Sequence, residues 1–174
     1  MVEQERLNRG AQQAYRPSWR GRLSRYGPLG VWAILIFVGS GSVLSAEHTS
    51  IVLRVVKWLY PSASPTFLGW FHFLVRKAGH LTEYAILASL AARAFRSSSQ
   101  QFLRAHWFKL SLVLAMLYAL TDEFHQSFVP SRTASINDSL IDSAGALIGL
   151  SLIWWYHRRK RMSQSIGSDC TLEH

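Results

Sequence analysis

Three short stretches of the chain combine residue types that can move protons or hold a phosphate group. They are KAGHLTEY (77–84), TDEFHQSFVPSR (121–132) and NDSLIDSAG (137–145). Each lies in or beside an apolar run, where an ionisable side chain costs a few kcal/mol unless it faces a protein interior or a polar cavity. Five of the ten acidic residues nevertheless fall inside these three stretches. Their placement predicts a polar site inside an otherwise apolar protein.

The polar residues of each stretch recur at helical spacing. Residues three, four or seven positions apart share one face of a helix, so each stretch is expected to present a single polar stripe. The aligned positions are Lys77, His80 and Tyr84 in the first stretch, Asp122, His125 and Gln126 in the second, and Asp138 and Asp142 in the third. Glu83 and Glu123 lie off these stripes. We expect the three stripes to face one another.

Side chains of these types could perform acid–base or nucleophilic chemistry on a phosphorylated compound. A histidine that a neighbouring carboxylate orients can act as a general base or as a nucleophile. Lysine and arginine can hold a phosphate or pyrophosphate group. The catalytic candidates are His80, Glu83, Asp122, Glu123, His125, Asp138 and Asp142. The candidates for substrate binding are Lys77, Tyr84, Gln126 and Arg132.

The same residues could also bind a divalent cation. Oxygen-rich ligands would suit magnesium or manganese, whereas His80 and His125 with one carboxylate would suit zinc. The candidate ligands are Asp122, Glu123, His125, Asp138 and Asp142. Their spacing matches no known zinc motif, so the sequence establishes no cofactor.

The elements that must position these residues are membrane helices. The 174 residues are 49% hydrophobic and only 17% charged, which is too apolar for a typical soluble domain. Four runs approach the roughly 20 residues that span a bilayer. They cover residues 28–46, 76–95, 108–128 and 135–156. The runs lack the alternation of barrel strands, so the predicted fold is an all-α membrane bundle of four transmembrane helices.

The rest of the chain divides around this bundle. Residues 1–27 form a basic N-terminal segment, residues 28–157 the transmembrane domain and residues 158–174 a basic tail. Between the first two spans, IVLRVVKWLY (51–60) sets apolar residues at helical spacing. This pattern predicts a short helix that either lies on the membrane surface or caps the bundle.

The distribution of positive charge predicts the orientation. Fourteen of the 19 lysines and arginines lie in the N-terminal segment, in the loop around residues 93–109 or in the tail. The positive-inside rule therefore places both termini in the cytoplasm and the three polar stretches near the outer face. The basic residues form no contiguous patch among stacking aromatics, which argues against nucleic acid. A single cysteine, Cys170, excludes a disulfide framework within the chain.

With this pattern in view, the chain resembles the VanZ-like family of bacterial membrane proteins. The matching positions are Lys77, His80, Glu83, Tyr84, Asp122, Glu123, His125, Gln126, Pro130, Arg132, Asp138, Asp142 and Gly145. Ser131 departs from the pattern, since the family commonly has a glycine before the arginine of this loop. The resemblance implies a multi-pass protein of the cytoplasmic membrane with a role in the cell envelope. The founding member is associated with resistance to the glycopeptide teicoplanin.

Four interpretations follow from the residues. The site could be an enzyme acting on a lipid-linked intermediate such as a polyprenyl phosphate, or a non-catalytic binder of such a compound. It could also be a proton relay in a carrier, or a set of polar groups that only hold helices together. The sequence leaves the substrate and the oligomeric state open.

Overall fold

Helices are the only regular elements in the part of the chain that the structure describes. A computed structural model describes residues 19–40, 53–128 and 136–169, and side chains up to residue 162. The helices are α1 (Trp19–Gly39), α2 (53–59), α3 (Pro65–Arg96), α4 (Gln101–Ala105), α5 (Trp107–Gln126) and α6 (Ile136–Asp169). The prediction of an all-α protein is confirmed over these residues.

Several helix bounds differ from the predicted spans. α1 begins at Trp19, nine residues before the predicted start at 28, and residues 41–50 lie outside the described part of the chain. α6 runs on to Asp169, through most of the segment predicted as a tail. Apolar length marks where a helix can lie in lipid, whereas hydrogen bonding and capping decide where it ends.

The start of α3 shows this difference most clearly. The helix begins at Pro65, eleven residues before the predicted span, because Ser64 caps it. The Ser64 hydroxyl accepts a hydrogen bond from the Phe67 amide at 3.2 Å. Proline suits the first helical turn, where its missing amide proton would have no partner in the helix. With 32 residues, α3 is about 48 Å long at 1.5 Å per residue.

α3 is the central helix of the bundle and packs against α1, α5 and α6. α1 runs antiparallel to it, since the Trp32 indole donates to the Glu83 carbonyl at 3.0 Å and the Arg93 guanidinium donates to the Ser24 carbonyl at 3.4 Å. α6 runs parallel to α3, since Gly145 meets Leu81 and Gly149 meets Ala85. A four-span topology would likewise make its second and fourth helices parallel.

Two glycines allow α3 and α6 to approach closely. A Cβ atom added at Gly149 would lie 2.8 Å from the Ala85 carbonyl oxygen, and one at Gly145 would overlap the Leu81 carbonyl oxygen. Small residues at helix contacts permit this approach in membrane proteins. The side chains before these glycines on α6 are thereby held against α3.

The interior of the bundle is built mainly from small residues, and its perimeter carries large apolar ones. Ala88, Ala92, Ala115, Ala119 and Ala146 are fully buried. Ile34, Leu117 and Leu152 are about 60% exposed, and many other large apolar side chains share that exposure. Water-soluble proteins bury such residues to gain hydrophobic free energy, so this surface suits an apolar surrounding.

One described stretch, Ile136–Met162, is long and apolar enough to cross a membrane by length and composition. The other described helices do not meet that criterion, and α3 in particular carries several charges. Residues 53–59 are helical, as predicted for this segment. The four-span topology and the position of α2 at the membrane surface stay predictions.

Replacing Gly145 by alanine is expected to destabilise the bundle, because the new methyl group would force α3 and α6 apart. We expect the free energy of unfolding to fall by about 1–3 kcal/mol, the usual cost of overpacking. Thermal unfolding of the purified protein in detergent, followed by circular dichroism, would measure the effect.

Gly79→Ala is the matched control, because an added Cβ there meets no atom within 4 Å. It makes the same chemical change on α3 and should leave the melting temperature unchanged or raise it. Equal stability of the Gly145→Ala and Gly79→Ala variants would contradict the close contact between α3 and α6.

Candidate functional site

The described residues of the three polar stretches lie towards one end of the bundle. The middle of α3, the last two turns of α5 and the first two turns of α6 contribute their polar faces to this end. Direct contacts join α3 to α6 through Lys77 and Asp138 and through His80 and Asp142. Because both helices run in the same direction, equal steps along each bring successive polar pairs together. We call this cluster the polar site.

The mouth of the polar site is an ion-pair triad around Asp138. Lys77 Nζ pairs with one oxygen of the Asp138 carboxylate, and Arg76 Nη2 lies 3.3 Å from the other. The Asp138 side chain is nearly buried, whereas 44% of the Arg76 side chain is exposed. Two cations sharing one carboxylate leave an excess of one positive charge at the mouth. That excess suits an anionic group that approaches from outside.

A histidine–aspartate pair lies one helical turn deeper. His80 Nδ1 is 3.4 Å from Asp142 Oδ1, and the Asp142 side chain is fully buried. Within the described residues, neither oxygen of Asp142 receives a hydrogen bond of good geometry. A carboxylate beside Nδ1 favours the tautomer that carries its proton there, which leaves Nε2 as the basic nitrogen. This arrangement can accept or deliver a proton at Nε2.

Tyr84 lies one turn further along α3 and is fully buried. Its hydroxyl has no hydrogen-bond partner among the described residues. Asp122 of α5 and Asp142 of α6 both lie close enough to act on the hydroxyl electrostatically. Tyr84 thus lies within the electrostatic influence of acids on two other helices.

The α5 wall of the site is formed by Asp122 and Gln126, which are both buried. The Gln126 side-chain amide donates a hydrogen bond of 2.8 Å to Asp122 Oδ2. This bond spans one turn of the helix. Within the described part of the chain, the second oxygen, Oδ1, has no hydrogen-bond partner and is buried. Buried polar groups are usually paired, so Asp122 Oδ1 is a candidate for contact with a bound molecule.

Glu83 and Glu123, the two acids that lie off the polar stripes, differ in their exposure. The Glu83 side chain is exposed, and its backbone carbonyl accepts the hydrogen bond from Trp32. Glu123 is buried, with 8% of its surface exposed. Glu123 therefore does not point outward, and only Glu83 does so.

His125 stacks on Phe37 of α1, with ring centroids 4.2 Å apart. This contact places the imidazole against α1. Arg132, predicted to bind substrate, lies outside the described residues, as does Pro130.

A metal centre is not assembled by the described side chains. No three His, Cys, Asp or Glu residues among them come together in a group that could hold a metal ion. Asp138 is engaged by two cations, and Asp122 by Gln126. Asp142 pairs with His80, and His125 stacks on Phe37.

Two contributors to this end of the bundle were missed by sequence reasoning. Arg76 directly precedes Lys77, and this pair of adjacent cations at the start of KAGH was the available signal. Phe37 carries no signal in the sequence, because it is one apolar residue within a long apolar run. Its contact with His125 follows only from the packing of α1 beside α5.

The sequence comparisons identify one family. The family model described as VanZ/LLP1 matches residues 26–157, which is about three quarters of the chain. The match includes α3, α5 and the polar part of α6. No curated protein and no solved structure matches the chain.

A double-mutant cycle on His80 and Asp142 tests whether the two side chains interact. His80→Ala leaves a fully buried carboxylate without its partner, so we expect the free energy of unfolding to fall by about 3 kcal/mol. His80→Ala/Asp142→Ala should cost less than the sum of the single changes, with a coupling of about 1–3 kcal/mol. Chemical denaturation in detergent would measure each value.

The control is His106→Ala. His106 is exposed and contacts Phe102 far from the polar site. Its removal should change stability little and should be additive with Asp142→Ala. Additive effects of the His80 and Asp142 changes would show that the pair does not interact.

Proposed function

The chain belongs to the VanZ/LLP1 family, and on that premise we propose that it acts on a phosphate-bearing, lipid-linked intermediate of the bacterial cell envelope. In this proposal the protein crosses the cytoplasmic membrane several times, with both termini in the cytoplasm. The polar site then opens at the outer face. A role in resistance to glycopeptides such as teicoplanin belongs to the same proposal, since masking or altering an envelope precursor would change what the antibiotic can bind.

The surface of the bundle supports the membrane placement. Large apolar side chains are exposed around its perimeter, while ionisable groups concentrate towards its two ends. Lys77 and Arg96 on α3 are 19 residues apart, which corresponds to about 28 Å along a helix. Asp142 and Arg161 on α6 are also 19 residues apart. This distance is close to the thickness of a bilayer's hydrocarbon core, about 30 Å.

The observation that carries the proposal is the pairing of an electropositive mouth with a histidine–aspartate pair one turn below it. Arg76 and Lys77 share a single carboxylate, so one positive charge at the mouth is left over to attract a phosphate group. His80, placed by Asp142, can then accept a proton from an attacking water or hydroxyl group. Charge-assisted hydrogen bonds to the two cations would orient the phosphate for that step.

The remaining interpretations fit the described residues in different degrees. A proton-relay carrier needs titratable groups across the bundle, but the buried part of α3 beyond Tyr84 consists of Leu87 and alanines. A binder or a purely structural cluster is the alternative, because Lys77–Asp138 and His80–Asp142 also tie α3 to α6. Measurements of binding and turnover separate these alternatives from an enzyme.

We expect the purified protein to bind polyprenyl phosphate and to turn over polyprenyl pyrophosphate. Lys77→Gln should weaken binding about tenfold through the lost charge-assisted contact. His80→Gln should keep binding but lower the rate of phosphate release about 100-fold. Native mass spectrometry would report binding, and a phosphate assay would report turnover.

Lys109→Gln is the matched control, because Lys109 is an exposed lysine at the other end of α5. Saturable binding without turnover would identify a non-catalytic binder. Equal binding by the Lys77→Gln and Lys109→Gln variants, or no binding by the parent protein, would remove the proposed substrate class.

A second test separates a functional Tyr84 from a structural one. Its hydroxyl has no partner among the described residues, so Tyr84→Phe should leave the melting temperature unchanged or raise it. If the hydroxyl contacts the lipid phosphate group or its neighbours, the same variant should lose binding or turnover. Loss of stability with unchanged function would instead make Tyr84 a structural residue.

The single cysteine allows a direct test of orientation. If the tail is cytoplasmic, a membrane-impermeant thiol reagent should label Cys170 only after the cells are permeabilised. A Ser127→Cys/Cys170→Ser variant places the only thiol beside the polar site, where Ser127 is exposed, and intact cells should be labelled. Labelling of Cys170 in intact cells would reverse the proposed orientation.

A further inference from the structure

A pocket lies between α3, α5 and α6 at the end of the bundle opposite the polar site. Its volume is about 210 Å³. The residues that line it are Arg96, Trp107, Trp154, His157, Arg158 and Arg161. We call it the arginine–tryptophan pocket. None of the candidate residues of the polar site contributes to it.

The positive charge of this pocket is not neutralised by the described side chains. The ion pairs among them involve Asp138 and Asp142 at the polar site, and none involves an arginine of the pocket. Arg161 lies close enough to Arg96 for the two like charges to repel each other. A bound anion would relieve this repulsion, which makes anion binding favourable.

Tryptophan rings position the arginine side chains. The Arg96 guanidinium lies 5.2 Å from the centre of the Trp107 ring, and Arg158 lies at the same distance from Trp154. Stacking of this kind holds the planar guanidinium while its N–H edges stay available to an anion. Several donors presented together suit the oxygens of a phosphate group.

A groove adjoins the pocket. Its lining exposes more apolar than polar surface, although Arg93 and Ser97 also contribute to it. Its volume is about 440 Å³, and it shares Arg96 and His157 with the arginine–tryptophan pocket. Ile153 and Ser89 extend it along α3 and α6 towards the middle of the bundle. A cationic pocket that continues into such a groove fits a molecule with an anionic head and an apolar chain better than a free ion.

We propose that the arginine–tryptophan pocket binds the phosphate group of an anionic phospholipid at the cytoplasmic face of the membrane. The proposal relies on the membrane placement and orientation proposed above, but not on the chemistry of the polar site. Basic pockets between helices on the cytoplasmic side are a known form of headgroup recognition. The adjoining groove would receive part of an acyl chain.

The test compares phosphatidylglycerol with phosphatidylcholine of the same acyl chains, titrated onto the full-length protein in detergent and followed by native mass spectrometry. The parent protein should bind phosphatidylglycerol more tightly. Arg96→Gln/Arg161→Gln should weaken that binding about tenfold and leave the binding of phosphatidylcholine unchanged. Circular dichroism melting would establish that the variant is folded.

The matched control is Arg104→Gln/Lys109→Gln. It removes two exposed cations at the same end of the bundle, outside the pocket. It should retain phosphatidylglycerol binding within about twofold, as expected for sites that do not share contacts. An equal loss in both double variants would assign binding to diffuse surface charge and overturn the pocket.

Two further measurements identify the source of the phosphate group. Inorganic phosphate at millimolar concentration should fail to displace phosphatidylglycerol, and displacement would assign the pocket to the free anion. Lys77→Gln, which alters the polar site, should leave phosphatidylglycerol binding intact. A Lys77→Gln variant that loses polyprenyl phosphate but keeps phosphatidylglycerol shows that the two sites bind independently. Failure of the proposed function and failure of the phospholipid site are therefore distinguishable.

Discussion

The close approach of α3 and α6 is the contact on which the rest of the structure depends. Gly145 and Gly149 let the backbones meet at Leu81 and Ala85, where any larger residue would collide. Because the two helices are parallel, this single register brings Asp142 to His80 and Asp138 to Lys77. Backbone packing therefore positions the side chains that α3 and α6 contribute to the polar site.

Among the described residues, burial departs from the usual order of polarity and side-chain size, although Tyr84, Leu87 and Leu150 are buried. His80, Asp122, Gln126 and Asp142 are buried beside alanines, while large apolar side chains face outward. In water this arrangement would forgo the hydrophobic free energy that stabilises most folds. In lipid it is favourable, because ionisable groups find partners inside and apolar groups contact acyl chains. The family assignment and the surface of the bundle support the same environment.

Both ends of the bundle carry charged side chains, but the two ends differ in how these charges are paired. At the polar site, acids and bases pair with one another and leave a small positive excess at the mouth. At the other end, arginines stack on tryptophans without a described carboxylate partner. The first arrangement suits selective contact with a reacting or recognised group, and the second suits anchoring to anionic lipid. The proposed functions of the two ends are separate for this reason.

Much of the polar site was determined by the sequence alone. Helical spacing aligned Lys77, His80 and Tyr84, and it aligned Asp138 with Asp142, because the period of a helix is a local property of the backbone. Apolar length likewise indicated helices without showing where they end, since caps such as Ser64 and continuing hydrogen bonds set those limits. Only the tertiary structure decided the partners. Asp138 meets Arg76 as well as Lys77, and His125 stacks on Phe37, because such pairings depend on the register and rotation of neighbouring helices, which no single helix encodes.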